Sequence, residues 1–285
     1  MKFIDVCAGV GGFRMAMESH GHECVYTIEY NKDAIKSLKS TWKFDKNEAW
    51  FGDMYEMDYN TIPDFDVLCG GFPCAKFSVI GDRKGFESED PRANVFFELM
   101  KIAELKKPKY LFFENVKGLL SHDGGKSFET IINKMAELGY NVEWQLVNPK
   151  DFGYPVLRER VYIIGHLGDE CSEPILPITK AYRQDDRSSP SIYQFTRGNF
   201  RRFVGYAPTL LANMGTGGNN VPYVVDKVKN SMRILTPREC FRLQGFEDHY
   251  IDKIISSGIS NSALYERAGR TIFLPLVKDI AKGFK

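Results

Sequence analysis

The sequence predicts an α/β fold: a Rossmann-like layering of helices on a mostly parallel sheet, followed by a small irregular domain. Three observations predict it. Short apolar runs alternate with stretches of helical spacing over the first two-thirds of the 285 residues, and strands separated by helices of that length build βαβ units with parallel pairing. The first apolar run, 2–6, leads into a glycine-rich turn and then a helical pattern, which is how an open α/β sheet presents a ligand-binding edge. After residue 166 the alternation stops and the text becomes rich in Pro, Gly, Ser and Asn, a composition of loops and short strands.

Taken in order, the strand candidates are 2–6, 23–29, 49–52, 66–69, 110–114, 141–147 and 160–166. Between them 12–20, 32–41, 96–106 and 125–138 show helical spacing of apolar positions. No clear helix joins the last two strands, so they are expected to pair antiparallel at an edge. Short β-like pieces such as 223–225 follow within 168–230. From 263 to 284 the helical pattern returns, expected to pack back on the first domain.

Composition excludes several classes. With 43% hydrophobic and 26% charged residues, the chain is neither disordered nor a coiled coil. No stretch approaches the ~20 consecutive apolar residues of a membrane span. The apolar run at 3–6 leaves no room for a charged leader and cleavable signal. A cytoplasmic protein with no membrane partner is expected. The six cysteines, Cys7, Cys24, Cys69, Cys74, Cys171 and Cys240, contain no C-x-x-C pair, so no zinc ribbon, other metal site or disulfide framework is expected. Net charge is only +1, but residues 181–243 hold ten Lys and Arg against four Asp and Glu. That surplus of six positive charges, on a remainder carrying five negative ones, points to a polyanion-facing surface.

The candidate sites lie at strand ends. The turn Cys7-Ala8-Gly9-Val10-Gly11-Gly12-Phe13 brings backbone N–H groups and a helix N-terminus to a ligand. Its G-x-G-G spacing is not the G-x-G-x-x-G of nicotinamide sites. Glu29 ends the second strand, about 18 residues past the glycines, where an acid grips ribose hydroxyls. Asp53, followed by Met54, ends the third, where a carboxylate can accept an adenine amino group. With Asp5 near the end of the first strand, acids at three successive strand ends describe an adenosine pocket. The fourth strand runs into Gly70-Gly71-Phe72-Pro73-Cys74, a stiffened loop that places a thiol where a nucleophile belongs. Glu114, Asn115 and the Arg158-Glu159-Arg160 triplet follow downstream, able to converge on a polar heterocycle.

At this point the chain resembles the DNA (cytosine-5)-methyltransferase family, of bacterial or phage type, over nearly its whole length and in the family's motif order. The resemblance is carried by residues 5–13, Glu29, Gly52-Asp53, Gly71-Phe72-Pro73-Cys74, Asp90-Pro91-Arg92, Glu114-Asn115-Val116, Arg158-Glu159-Arg160 and 233–240. It implies S-adenosylmethionine as cofactor, held by Gly9, Gly11, Gly12, Phe13, Glu29, Asp53, Met54, Phe72, Pro73, Arg270 and Thr271. It implies that Cys74 adds to C6 of a cytosine flipped from double-stranded DNA, with Glu114, Asn115, Arg158 and Arg160 completing the catalytic set. Ser78 and Arg92, on the loop 75–92, match residues that contact DNA. Arg197, Arg201, Arg202 and Thr209 fall in the variable recognition region, where arginines bind guanine or phosphate. The implied division is 1–168 plus 262–285 for cofactor and catalysis, and 169–261 for DNA reading and hinge. A monomer, nucleoid-associated and working beside a cognate restriction endonuclease, completes the expectation.

Three departures from the family pattern stand out. Ala75 replaces the usual Gln after Pro-Cys, Val156-Leu157 replace a Gln-Asn pair, and Gly269-Arg270-Thr271-Ile272 replace Gly-Asn-Ser/Ala-Val. Arg270 opens an alternative in which the transferable group carries a carboxylate, as in carboxy-S-adenosylmethionine, giving 5-carboxymethylcytosine. An inactive DNA-binding homologue, an RNA-directed branch lacking here its Cys-Phe-Thr triplet, and a Rossmann oxidoreductase are the other readings.

Overall fold

The computed structural model describes residues 1–72, 95–168, 173–179, 191–196, 199–216, 220–226 and 231–285. Its main sheet has seven strands: β1 (Lys2–Val6), β2 (Glu23–Ile28), β3 (Ala49–Trp50), β4 (Val67–Gly70), β5 (Tyr110–Val116), β6 (Tyr140–Val147) and β7 (Arg160–Leu167). Their order is β3-β2-β1-β4-β5-β7-β6. The first five run parallel. As the sequence predicts, β6 and β7 pair antiparallel. β7, however, inserts between β5 and β6 and pairs antiparallel with both, leaving β6 alone at the edge. The third strand is shorter than expected: after Trp50 the chain turns into a 3-10 segment over Met54–Glu56, started by the Asp53 side chain accepting from the Tyr55 N–H at 3.1 Å.

The helices α1 (Gly12–Glu18), α2 (Lys32–Thr41), α3 (Val95–Lys106) and α4 (Lys126–Glu137) follow the helical spacing. Asn31 caps α2 by accepting from the N–H groups of Asp33 and Ala34. The central strands read as unbroken apolar runs because helices cover both sheet faces. One core joins Phe3, Phe13, Met17, Phe112 and Ile164 to the C-terminal helices; the other joins Ile4, Val6, Leu68, Phe96, Leu99 and Phe113. Strand order reverses between β1 and β4, and in sheets of this kind the crevice at that point, beyond the strands' carboxyl ends, takes the ligand.

The smaller sheet is antiparallel, in the order β11-β10-β8-β9, from β8 (Ser191–Thr196), β9 (Asn199–Val204), β10 (Tyr223–Asp226) and β11 (Ser231–Ile234). Four helices follow: α5 (Pro237–Leu243), α6 (Asp248–Ser256), α7 (Asn261–Arg270) and α8 (Leu274–Ala281). The single helical pattern expected over 263–284 is thus broken at 271–273. Residues 237–256, grouped on sequence with the smaller domain, pack on the body. Cys240, Phe241, Phe246, Ile251 and Ile254 share the core of Phe13 and Met17, and Tyr250 lies 6.2 Å from the Trp42 ring. Among the described residues no helix is long and apolar enough to cross a membrane, and no cluster of three metal-binding side chains occurs.

Candidate active site

The turn after β1 is built from backbone geometry that favours glycine. Gly9 and Gly11 take φ of 58° and 82°. A Cβ on Gly11 would lie 2.4 Å from the Trp42 ring, and one on Gly12 would lie 2.6 Å from Ile272 Cγ1 and 3.3 Å from Thr271 Oγ1. The start of α1 is therefore pressed between α2 and the segment linking α7 to α8. Phe13 is buried, its ring edge-on to Phe112 at 5.0 Å.

Glu29 organises the pocket. Its buried carboxylate accepts from the N–H groups of Gly9 (2.8 Å), Tyr30 (2.9 Å) and Asn31 (2.8 Å), tying the β1 turn to the β2 turn. Trp50 Nε1 donates to the Asp53 carbonyl at 3.0 Å, and Met54 is buried beside it.

Two further residues border this cluster: Asp5, the first of the three strand-end acids, and Tyr30, which the sequence reading did not single out. Among the described residues, the fully buried Asp5 accepts only the Arg14 N–H, at 3.3 Å through Oδ2, and its Oδ1 has no hydrogen-bond partner. Burial pushes its pKa up to about 7. Tyr30 stands 61% exposed beside the Glu29 carboxylate; an aromatic next to a ribose-type acid was its signal.

The second cluster forms where β4 and β5 end and the antiparallel β7 begins. Phe72 is buried against Phe96 and Phe113, at ring separations of 5.4 and 6.2 Å. Asn115, 1% exposed, donates from Nδ2 to the Phe72 carbonyl at 3.2 Å and accepts from the Val116 N–H at 2.8 Å. Glu114 Oε1 lies 3.0 Å from Arg160 Nε and 4.0 Å from Arg158 Nη2. A Cβ on Gly71 would lie 3.9 Å from Glu114 Oε2, so the Gly71 backbone borders the carboxyl closely.

The two arginines differ. Arg160 stays partly accessible, whereas Arg158 is 2% exposed and donates to the carbonyls of Gly269, at 3.2 Å, and Thr271. Thr271 and Arg270 also diverge. Thr271 is buried against Gly12, whereas the mainly exposed Arg270 side chain pairs through Nε with Glu266 Oε1 at 2.9 Å.

Of the remaining sequence candidates, Pro73, Cys74, Ser78, Arg92 and Arg197 lie outside the described residues. Arg201 and Arg202 are exposed on β9. Arg202 donates from Nε and Nη2 to Ser191 Oγ, at 3.1 and 2.9 Å, and Arg201 stacks over Phe203 at 5.1 Å. Thr209 is half-buried just beyond Ala207, whose backbone bonds Pro155 (2.7 Å) and Leu157 (2.9 Å). The structure thus gathers the turn, Glu29 and Asp53 into one cluster and Glu114, Asn115 and Arg160 into a neighbouring one. Arg201 and Arg202 stand apart, on the smaller sheet.

Against known proteins, a family model described as C-5 cytosine-specific DNA methylase matches residues 1–195 and 177–285. Type II methyltransferase M.Bsp6I of Bacillus sp. (strain RFL6) is 36% identical, over 99% of this chain and 98% of its own. Type II methyltransferase M.HhaI of Haemophilus parahaemolyticus is 34% identical, over 99% and 93%. Among solved structures, S. pombe Dnmt2 methyltransferase superposes with a TM-score of 0.72 at 16% identity, covering 98% of this chain and 96% of that one. Entamoeba histolytica methyltransferase EhMeth gives 0.75 at 15%, covering 99% and 97%. At such identities these two likenesses speak to the fold alone.

Proposed function

The chain belongs to the C-5 cytosine-specific DNA methylase family, and from that premise we propose which of its residues perform the DNA cytosine-C5 methylation that the family carries out. S-adenosylmethionine is the cofactor, and when bound it supplies the sulfonium methyl that C5 takes. The residues present fit it. Gly9, Gly11, Gly12 and the Phe13 backbone offer N–H groups at a helix N-terminus. Glu29 takes the ribose hydroxyls, Asp53 the adenine amino group, and Met54 and the Tyr30 ring flank the base. The orphaned Oδ1 of Asp5 suits the ammonium of the methionine portion. Phe72, Pro73 and Thr271 close the methyl-bearing end.

On the DNA side, cytosine C5 is too weak a nucleophile unless C6 is first attacked. Cys74 supplies the thiolate and forms a bond to C6. Glu114 holds the proton at N3, which makes C6 electrophilic toward the thiolate and leaves the adduct an enamine with a nucleophilic C5, and Arg160 fixes Glu114 and the O2 edge. With the methyl on C5, loss of the C5 proton to water re-forms the C5–C6 double bond as the C6–S bond breaks, which releases Cys74 as thiolate. Asn115 holds the loop bearing the nucleophile. Ser78 and Arg92 meet the flipped nucleotide, and Arg197, Arg201, Arg202 and Thr209 meet the duplex. The protein acts as a monomer, alongside a restriction endonuclease of the same specificity.

One observation carries this reading. Asn115, next in sequence to the Arg160-held Glu114, grips the carbonyl two residues ahead of Cys74. The test is trapping on duplex DNA carrying 5-fluorocytosine at a site the protein methylates. A covalent adduct that disappears in Cys74→Ser is expected; its absence in the wild type overturns the reading.

A second reading concerns the transferred group. Arg270 supplies a cation next in sequence to the Thr271 that abuts the glycine turn, but its side chain is turned to Glu266 and would have to leave that pair to meet a carboxylate on that group. Turnover with carboxy-S-adenosylmethionine against S-adenosylmethionine, read by nucleoside mass spectrometry, decides it. No preference for the carboxylated donor removes it.

A further inference from the structure

Residues 269–272 touch three parts of the molecule at once. The Gly269 and Thr271 carbonyls both accept from the buried guanidinium of Arg158, which stands 4.0 Å from Glu114. Gly269 is also crossed by the segment that follows the smaller sheet's first hairpin: a Cβ there would lie 2.2 Å from the Leu211 carbonyl oxygen and 2.8 Å from the Ala212 nitrogen. That segment is pinned upstream as well, where Ala207 bonds Pro155 and Leu157 just ahead of Arg158. Thr271 and Ile272, finally, press on Gly12 in the cofactor turn. A planar five-donor fork clamped on two carbonyls is a rigid connector, and backbone packed on backbone leaves no soft side chain to absorb a shift.

We infer that Arg158 and Gly269 form a positioning junction that couples cofactor binding, the Glu114 carboxylate and the DNA-facing segment 207–212. Arg158 acts through Glu114 and the 269–271 backbone and does not touch the cytosine. The inference rests on the assignments above of the cofactor turn and of Glu114. Movement of segment 207–212 on DNA is transmitted at Gly269 to Thr271 and Ile272, and so to Gly12. Reciprocally, a filled cofactor site stiffens the segment that meets DNA.

The test measures the affinity of full-length protein for S-adenosylhomocysteine, with and without a duplex it methylates, by titration calorimetry. In the wild type the duplex is expected to tighten binding about tenfold, within the usual range of inter-site coupling. In Arg158→Lys, which keeps the charge and loses the fork, the ratio is expected to fall below about twofold. Gly269→Ala and the mild Ile272→Val break the same junction from its other two sides and are expected to lower the ratio too, which keeps the test decisive if Arg158→Lys does not fold. A merely structural role would lower the melting temperature and leave the ratio unchanged. An unchanged ratio in the folded variants, or a wild-type ratio near one, overturns the junction. A missing wild-type adduct would instead overturn the catalytic assignment.

Discussion

Glu114 and Arg160 meet at 3.0 Å between Oε1 and Nε, across strands β5 and β7, whose register sets Glu114 opposite Tyr162 and Val116 opposite Arg160. The pair is therefore diagonal, two positions apart, on the same side of the sheet. Each side chain is 12% exposed, enough shelter to keep the attraction unscreened while leaving the carboxyl reachable from the crevice. In the proposed assignment this carboxyl is the group that handles the proton of the bound base. Glu114→Gln removes that group's acid–base capacity and is expected to slow single-turnover methyl transfer by about 100- to 10,000-fold. Arg160→Lys, which keeps the charge without the planar donor set, is expected to lose about 10- to 100-fold. Wild-type rates in both would remove the pair from the chemistry.

Glu29 is the corresponding fixed point of the cofactor side, because three backbone N–H groups from two turns converge on it. Glu29→Gln preserves its size but turns an amide N–H₂ toward at least one of those donors. Facing donors cost about 1–3 kcal/mol, so binding of S-adenosylhomocysteine is expected to weaken about 10- to 100-fold, measured by calorimetry. Unaltered affinity would show that the two turns hold their shape without this carboxylate.

Asp5 makes stability depend on pH in the direction opposite to an ordinary paired acid. Burial raises its pKa from 3.8 to about 7, so the native chain keeps a proton that the unfolded chain gives up near pH 4. Its contribution is fully present below the unfolded value and is lost as pH rises toward about 7. The loss is on the order of 4 kcal/mol, since each pKa unit is worth about 1.4 kcal/mol. Asp5→Asn removes this titration. Urea unfolding at pH 5 and pH 8 should therefore show the wild type losing more stability than the variant between the two. Equal losses would mean that Asp5 is charged in the native state at both pH values.

What could be read from the sequence follows where physics is local. The parallel strands were legible because burial on both faces leaves runs such as Val67–Gly70 free of polar interruption, and the turn was legible because Gly9 and Gly11 adopt backbone angles that few other residues tolerate. Helices α5 and α6 were passed over, although Thr236 and Glu239 form a reciprocal cap at the start of α5. At seven and nine residues, they offer too few turns for apolar spacing to stand out from neighbouring loop text. Arg158 and Arg160 look equivalent in the triplet. They part because Arg160 begins β7, whereas the residues before Arg158 pair with Ala207, and its side chain is buried under the 269–271 backbone. Likewise nothing in the letters distinguishes Arg270 from Thr271. The end of α7 sends one side chain to Glu266 and the other toward Gly12.

Arg201 and Arg202 separate two ways of using positive charge on the smaller sheet. Both lie on the exposed edge strand β9, opposite Gln194 and Tyr193, and so project to opposite faces of the sheet. Arg202 already has Ser191 Oγ to orient it, while Arg201 lies over the Phe203 ring, which leaves it a phosphate-sized target more readily than a base edge. A side chain that only neutralises phosphate contributes a counterion-release increment, so its loss weakens binding to all duplexes alike and lowers the logarithmic salt slope by about one. Arg201→Ala is expected to behave in that way in fluorescence-anisotropy titrations between 50 and 200 mM salt. If Arg202 reads a base, Arg202→Ala instead relaxes preference for the methylated site by about 1–3 kcal/mol, with specific and nonspecific duplexes affected unequally. Identical salt slopes for wild type and both variants would place neither arginine on DNA and would move the recognition surface away from β9.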